Sequence, residues 1–193
     1  VPDQPTKRGR NLVFLAFSYL YYLYGAASFL PLLLISTLGD FGLARLMEAD
    51  QRLKRLWLVL SLVLNLGLLG YFKYANFFVH EVGLLRASYG LSAPTWVDVM
   101  LPIGISFFTF QKLSYMIDVY RGETAALRDP LDFALYVAMF PQLIAGPIVR
   151  FRTLREQLRG RRESWDRFYN GVVRISWGLA KKVIIANSCG QIT

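Results

Sequence analysis

Charged positions in this chain come in bursts, separated by long apolar runs. Residues 56–72 (LWLVLSLVLNLGLLGYF) hold no charge, and beyond Lys73 the apolar character resumes through Val79. A bilayer core of about 30 Å takes roughly 20 helical residues, so this pattern predicts a membrane helix over about 56–79. Residues 11–24 (NLVFLAFSYLYYLY), tyrosine-rich at their end, predict another span. A third covers 29–46, with Pro31 in its first turn, where the missing amide hydrogen costs little. The spans at 11–24 and 29–46 read as an antiparallel pair. Arg45, Glu48, Asp50, Arg52, Lys54 and Arg55 mark the solvated connection that follows.

Residues 81–98 are mixed in character and contain Gly83, Gly90 and Pro94, which reads as an extramembrane loop. The next span, about 102–120, has Pro102 at its start and Gly122 past its end. At helical spacing Gly104, Phe107, Gln111, Ser114 and Asp118 fall on one small and polar stripe, a poor neighbour for lipid. Gly104, Gln111, Ser114 and Asp118 are therefore candidates for lining an internal space. Asp118 has a second reading, as a helix-end carboxylate paired with Arg121.

The segment 133–149 breaks the pattern. Its eight apolar residues from Phe133 to Phe140 make only about 12 Å of helix. Pro141 and Pro147 then free the carbonyls of Val137 and Leu143. Irregular backbone at membrane depth survives only beside protein or water, so this segment reads as broken and facing an internal space. Gln142 is a further lining candidate, or serves to satisfy the freed backbone. From Arg150 to Lys182 ten basic residues face three acidic ones, which predicts a cytoplasmic block. Counting crossings from a cytoplasmic 7–10 collar places that block on the right side only if 133–149 is re-entrant.

A short interfacial helix is expected over 153–159, with Thr153 and Glu156 as a capping box and Arg152, Arg155 and Arg159 on its polar face. The last helix, about 165–187, sets Arg167, Arg174 and Lys181 opposite Phe168, Val172, Ile175 and Leu179. These basic residues suit phospholipid headgroups or, alternatively, an acidic partner.

Composition agrees with this reading. The chain is 54% hydrophobic and 15% aromatic, and its mean hydropathy is +0.36; that is a membrane protein. The fold class expected is all-α and polytopic, with a basic leader at 1–10 and a partial membrane domain over 11–193. The net charge of +9 does not indicate nucleic acid, because the basic residues flank apolar spans. A lone Cys189 excludes an intrachain disulfide and a cysteine-based zinc site. His80, the one histidine, reads as an interfacial bystander. No phosphate loop, metal-ligand pair or hydrolase elbow occurs, so neither a metal nor a bound cofactor is expected. The chain opens on Val1 and stops shortly after a helix, which suggests a fragment at both ends.

Three stretches carry a resemblance: LPIGISFFTFQKLSYMIDVYRG, DFALYVAMFPQLIAGPIVRF and GLAKKVIIAN, together with LGYFKYANFF. They resemble the membrane-bound O-acyltransferase family, in its alginate O-acetyltransferase branch. The resemblance implies a multi-pass enzyme of a bacterial inner membrane that moves an acyl group, usually acetyl, to hydroxyls of an extracytoplasmic polysaccharide. It also implies a ring of helices around a thin funnel, an acyl donor or acyl carrier, and other polysaccharide-modification proteins as partners. The family's essential histidine belongs to a motif that nothing in this chain matches, and no catalytic residue is expected here. Two other classes compete: a transporter or channel, which an internal inverted repeat would favour, and a noncatalytic scaffold that recruits a soluble partner.

Overall fold

The computed structural model describes residues 5–92, 95–143, 150–151, 153–154 and 164–190, which form helices and connections with no strand among them. The chain forms two units, 1–159 and 160–193.

In the first unit, α1 (Pro5–Ala26) is followed by a 3₁₀ turn (Ala27–Phe29) and α2 (Leu30–Ala49). Ala26 breaks the helix with φ −156° and ψ 50°. Next come α3 (Lys54–Ser88), α4 (Ile105–Arg121), α5 (Pro130–Ala138) and the one-turn α6 (Phe140–Leu143). Two helical stretches, Arg8–Ala49 and Lys54–Ser88, are long and apolar enough to cross a bilayer.

Polarity is inverted relative to a water-soluble domain. Phe17, Leu20, Val63 and Phe78 point outward, whereas Ser18, Asp40, Ser61, Asn65, Gln111 and Lys112 are buried. Apolar surface outside and polar groups turned inside are what a hydrocarbon solvent selects.

Contacts divide the ends of the helices into two sets. At one end Arg8 Nη2 lies 3.8 Å from Asp129 Oδ2, Asn11 donates to Asp132 at 3.0 Å, and Lys54 sits over the Tyr120 ring at 5.1 Å. This charged end gathers the starts of α1, α3 and α5 with the end of α4. At the other end Phe29 meets Phe72 edge-on with centroids 5.9 Å apart. There Asn76 clasps the strand-like connection after α3, donating to the Val99 carbonyl and accepting from the Val99 amide, each at 2.9 Å, and from Trp96 Nε1 at 3.0 Å.

Two boundaries differ from the sequence pattern. α3 runs to Ser88, so residues 81–88 are helix and not loop. One internal glycine, Gly83, costs only about 1 kcal/mol, and the leucines, arginine and alanine around it are good helix formers. The 35-residue helix is about 52 Å long at 1.5 Å per residue, well beyond the hydrocarbon thickness. α4 begins at Ile105 and not at Pro102, because Gly104 caps it with φ +76°. α1 lies chiefly along α5, to which it runs parallel, and α2 returns antiparallel to α1 and lies against α3, α4 and α5.

The second unit holds α7 (Trp165–Ala180), a π-helical turn (Lys181–Ala186) and a last short helix, α8 (Asn187–Gly190). Ser164 caps α7 by accepting from the Arg167 amide at 3.3 Å. Phe168, Val172, Ile175 and Leu179 are exposed along α7.

Candidate functional site

α4 is the interior helix. Within Ile105–Arg121 only Phe110 and Arg121 are exposed, so the small and polar stripe of the sequence is not a distinct face. Gln111 and Asp118 are buried, Gly104, Phe107 and Ser114 are partly so, and Phe108, Lys112, Tyr115 and Met116 are buried on the other sides. Arg121 is exposed while Asp118 is not.

The broken segment lies antiparallel against α4. Asp129 starts α5 by accepting from the Leu131 amide at 2.9 Å, with Pro130 in the first turn, where no amide is needed. Leu127 donates its amide to Tyr115 Oη at 2.8 Å. Further along, Gln111 and Tyr136 exchange bonds: Gln111 Nε2 donates to the Tyr136 carbonyl at 2.6 Å, and Tyr136 Oη donates to the Gln111 carbonyl at 3.3 Å. Tyr136 is among the last four residues of α5, whose carbonyls lack helical partners; the Gln111 side chain supplies one.

The break falls at Met139, which leaves the helical conformation with φ −57° and ψ 114°, two residues before Pro141. The Met139 carbonyl accepts from the Gln142 and Leu143 amides at 3.0 and 3.1 Å. Pro141 thus occupies the first turn of α6, where its missing amide is not required. The residue before a proline avoids the α region, yet here Phe140 is helical and the non-helical residue is Met139, one earlier. The Phe140 amide donates to Ser18 Oγ at 3.3 Å, and that hydroxyl donates to the Phe14 carbonyl at 2.8 Å. Gln142 Oε1 lies 3.5 Å from Gln111 Nε2, and its amide nitrogen lies 3.6 Å from Met139 Sδ.

Leu143 is level with Gly104, where a Cβ would collide with the Leu143 carbonyl oxygen. Phe151 then packs edge-on against Tyr115 and Tyr136, each with centroids 5.2 Å apart. Tyr115 is eleven residues, about 16 Å of helix, beyond Gly104 toward the charged end.

A second polar cluster joins α2, α3 and α4. Lys112 Nζ is 3.0 Å from Asp40 Oδ2, and both side chains are almost wholly buried. Ser61 Oγ donates to Asp40 Oδ1 at 2.6 Å, and Asn65 Nδ2 reaches both carboxylate oxygens at 2.8 Å. Lys112 also lies over the Phe108 ring at 5.5 Å. The sequence reasoning missed all four residues, although two isolated charges of opposite sign inside apolar stretches were the available signal.

Arg167, Arg174 and Lys181 are exposed on the second unit. Arg152, Arg155 and Arg159 lie outside the described residues, as does the expected Thr153–Glu156 capping box through Glu156. His80 is exposed on α3 with Nδ1 3.9 Å from Glu81 Oε1.

No protein-family model and no solved structure matches the chain. Curated relatives do. The chain is 43% identical over 185 residues to "Probable alginate O-acetylase AlgI" of Pseudomonas syringae pv. tomato, covering 94% of the chain and 36% of the relative. It is 43% identical over 188 residues to the protein of the same name in Azotobacter vinelandii, covering 96% and 38%. "Peptidoglycan O-acetyltransferase" of Helicobacter pylori is 34% identical over 200 residues, covering 89% of the chain and 37% of that protein. The chain thus spans little more than a third of the relatives it matches, and over nearly its whole length it is similar to alginate O-acetylases of the membrane-bound O-acyltransferase family.

Proposed function

We propose that the full protein transfers an acetyl group to hydroxyls of an extracytoplasmic polysaccharide such as alginate, as a multi-pass enzyme of a bacterial inner membrane. The observation that carries this is the 43% identity over 94% of the chain to a protein named as an alginate O-acetylase. In the reaction the acceptor oxygen bonds to the acetyl carbonyl carbon, the donor leaves, and the hydroxyl proton passes to a base. The first unit contributes wall and not base. Its buried Asp40, Lys112 and Gln111 tie helices together, and His80 stands exposed away from them.

On this reading α4, α5 and α6 form part of a helical ring around a funnel, and the segment 133–149 enters the membrane and returns to its own side. The return is supported by Leu143 lying at Gly104 while Phe151 lies back at Tyr115. The acyl donor or carrier and the other polysaccharide-modification proteins would meet the enzyme outside these packed residues.

The test uses the full-length protein in membrane vesicles with labelled acetyl donor and purified alginate. Label is expected on polysaccharide hydroxyls, and its absence with well-folded enzyme would remove the proposal. His80→Ala is expected to keep turnover within about twofold of wild type.

A further inference from the structure

We propose that Asp40 and Lys112 are a positioning pair that sets the register of α4 against the broken segment, and that they act as a unit. The proposal rests on the acyltransferase reading for its activity arm alone. Both residues lie deep in apolar stretches: Lys112 is nine residues, about 13 Å, from the charged end of α4, close to the middle of a bilayer core. A lone charge at that depth costs about 3 kcal/mol by insertion scales, so neither is accommodated without the other.

Chemistry separates this pair from a proton carrier. Asp40 receives four contacts, from Ser61, twice from Asn65, and from Lys112, which use up its lone pairs. A carboxylate so saturated has no position left for a substrate or a water. Lys112 is about 1% exposed and rests over Phe108, so it faces packed side chains and not a cavity.

Geometry supplies the positioning role. Lys112 follows Gln111 directly, so one short stretch of α4 is fixed on one side to α2 and α3 and on the other to α5. A slip of α4 by one residue, about 1.5 Å and 100°, would break the ion pair. It would also take Gln111 off the Tyr136 carbonyl and Gly104 off Leu143. The pair holds the helix at the single register in which the broken segment fits.

The experiment uses full-length protein with every native cysteine, Cys189 included, replaced by Ser, and carries Gln142→Cys as a reporter for thiol labelling; kinetics are measured without the reporter. Lys112→Met and Asp40→Asn are each expected to speed labelling of position 142 by about tenfold and to lower kcat by about tenfold, with KM within about twofold of wild type. Combining them removes both charges, and is expected to return both readouts to within about threefold, because a buried pair replaced whole is tolerated where half a pair is not. If a single variant cannot be purified folded, Asn65→Leu, which removes two of the contacts on Asp40, is expected to shift both readouts in the same direction by about threefold. Additive losses in the double variant, or lost turnover with unchanged labelling, overturn the proposal. Absence of acetyl transfer in the parent protein would defeat the acyltransferase reading and leave the labelling arm intact.

Discussion

The carbonyl oxygen of Leu143 occupies the place where a side chain on Gly104 would begin. Gly104 is the cap of α4, at φ +76°, and Leu143 ends α6, so two residues thirty-nine positions apart meet backbone to backbone. Gly104→Ala therefore has two costs. The left-handed backbone alone is worth about 1–2 kcal/mol, and the collision is with main chain, which cannot swing away. We expect the variant to lose more than about 2 kcal/mol in detergent unfolding, whereas Gly122→Ala, whose Cβ meets nothing within 4 Å, bears only the backbone term. Equal losses at the two glycines would show that the Leu143 contact is unimportant.

The exchange of bonds between Gln111 and Tyr136 gives an unequal pair of substitutions. Gln111→Leu leaves the buried Tyr136 carbonyl without its donor, at a cost of about 1–3 kcal/mol. Tyr136→Phe removes a longer bond, 3.3 Å against 2.6 Å, and leaves a carbonyl that already serves the helix. The first variant is expected to unfold at a clearly lower temperature than the second. A reversed order would mean that the tyrosine hydroxyl, not the glutamine amide, ties α4 to α5.

These two sites also show how far residue pattern reaches. Apolar runs announced the helices because hydrocarbon demands about 20 apolar residues, a rule written into consecutive positions. Gln111 stood out on the same grounds, as a polar side chain on an apolar helix. The position of the break did not: two prolines indicated interruption, but Met139 is the residue that leaves the helix because Phe140 and Pro141 start a new turn. Residues 81–88 were misread because glycine and charge mark loops and also exposed helix beyond the bilayer, and local pattern does not separate them. Asp40 and Lys112 went unnoticed for a different reason. Each is a single charge whose meaning lies in the other, seventy-two residues away, and only packing of α2 on α4 brings them together.

Asn76 offers a third test at the opposite end of the helices. Its side chain makes three bonds, to both backbone groups of Val99 and to Trp96 Nε1, and so holds the connection between α3 and α4. Asn76→Ala is expected to raise proteolytic cleavage within residues 95–100 by about tenfold while leaving helix content unchanged, since connecting segments owe their order to such local bonds. Unaltered cleavage would mean that apolar contacts alone fix that connection.

The return of the broken segment is the reading with the most direct topological consequence. Asp129 lies at the charged end beside Arg8, and Leu143 lies at the other end beside Gly104. Eight residues later Phe151 is against Tyr115, about 16 Å back along α4. Eight residues reach up to about 27 Å when extended, so the chain has ample length to make that return. A complete crossing would instead have to leave Phe151 near the Gly104 end, away from the rings it packs on. Single cysteines at Asp129 and Arg150 in a full-length protein whose native cysteines, Cys189 included, are replaced by Ser are therefore expected to react with an impermeant maleimide from the same face of the membrane, and only after the cells are opened. Reaction of one from outside and the other from inside would show that the segment crosses, and the proposed re-entrant wall would have to be abandoned even with the break at Met139 in place.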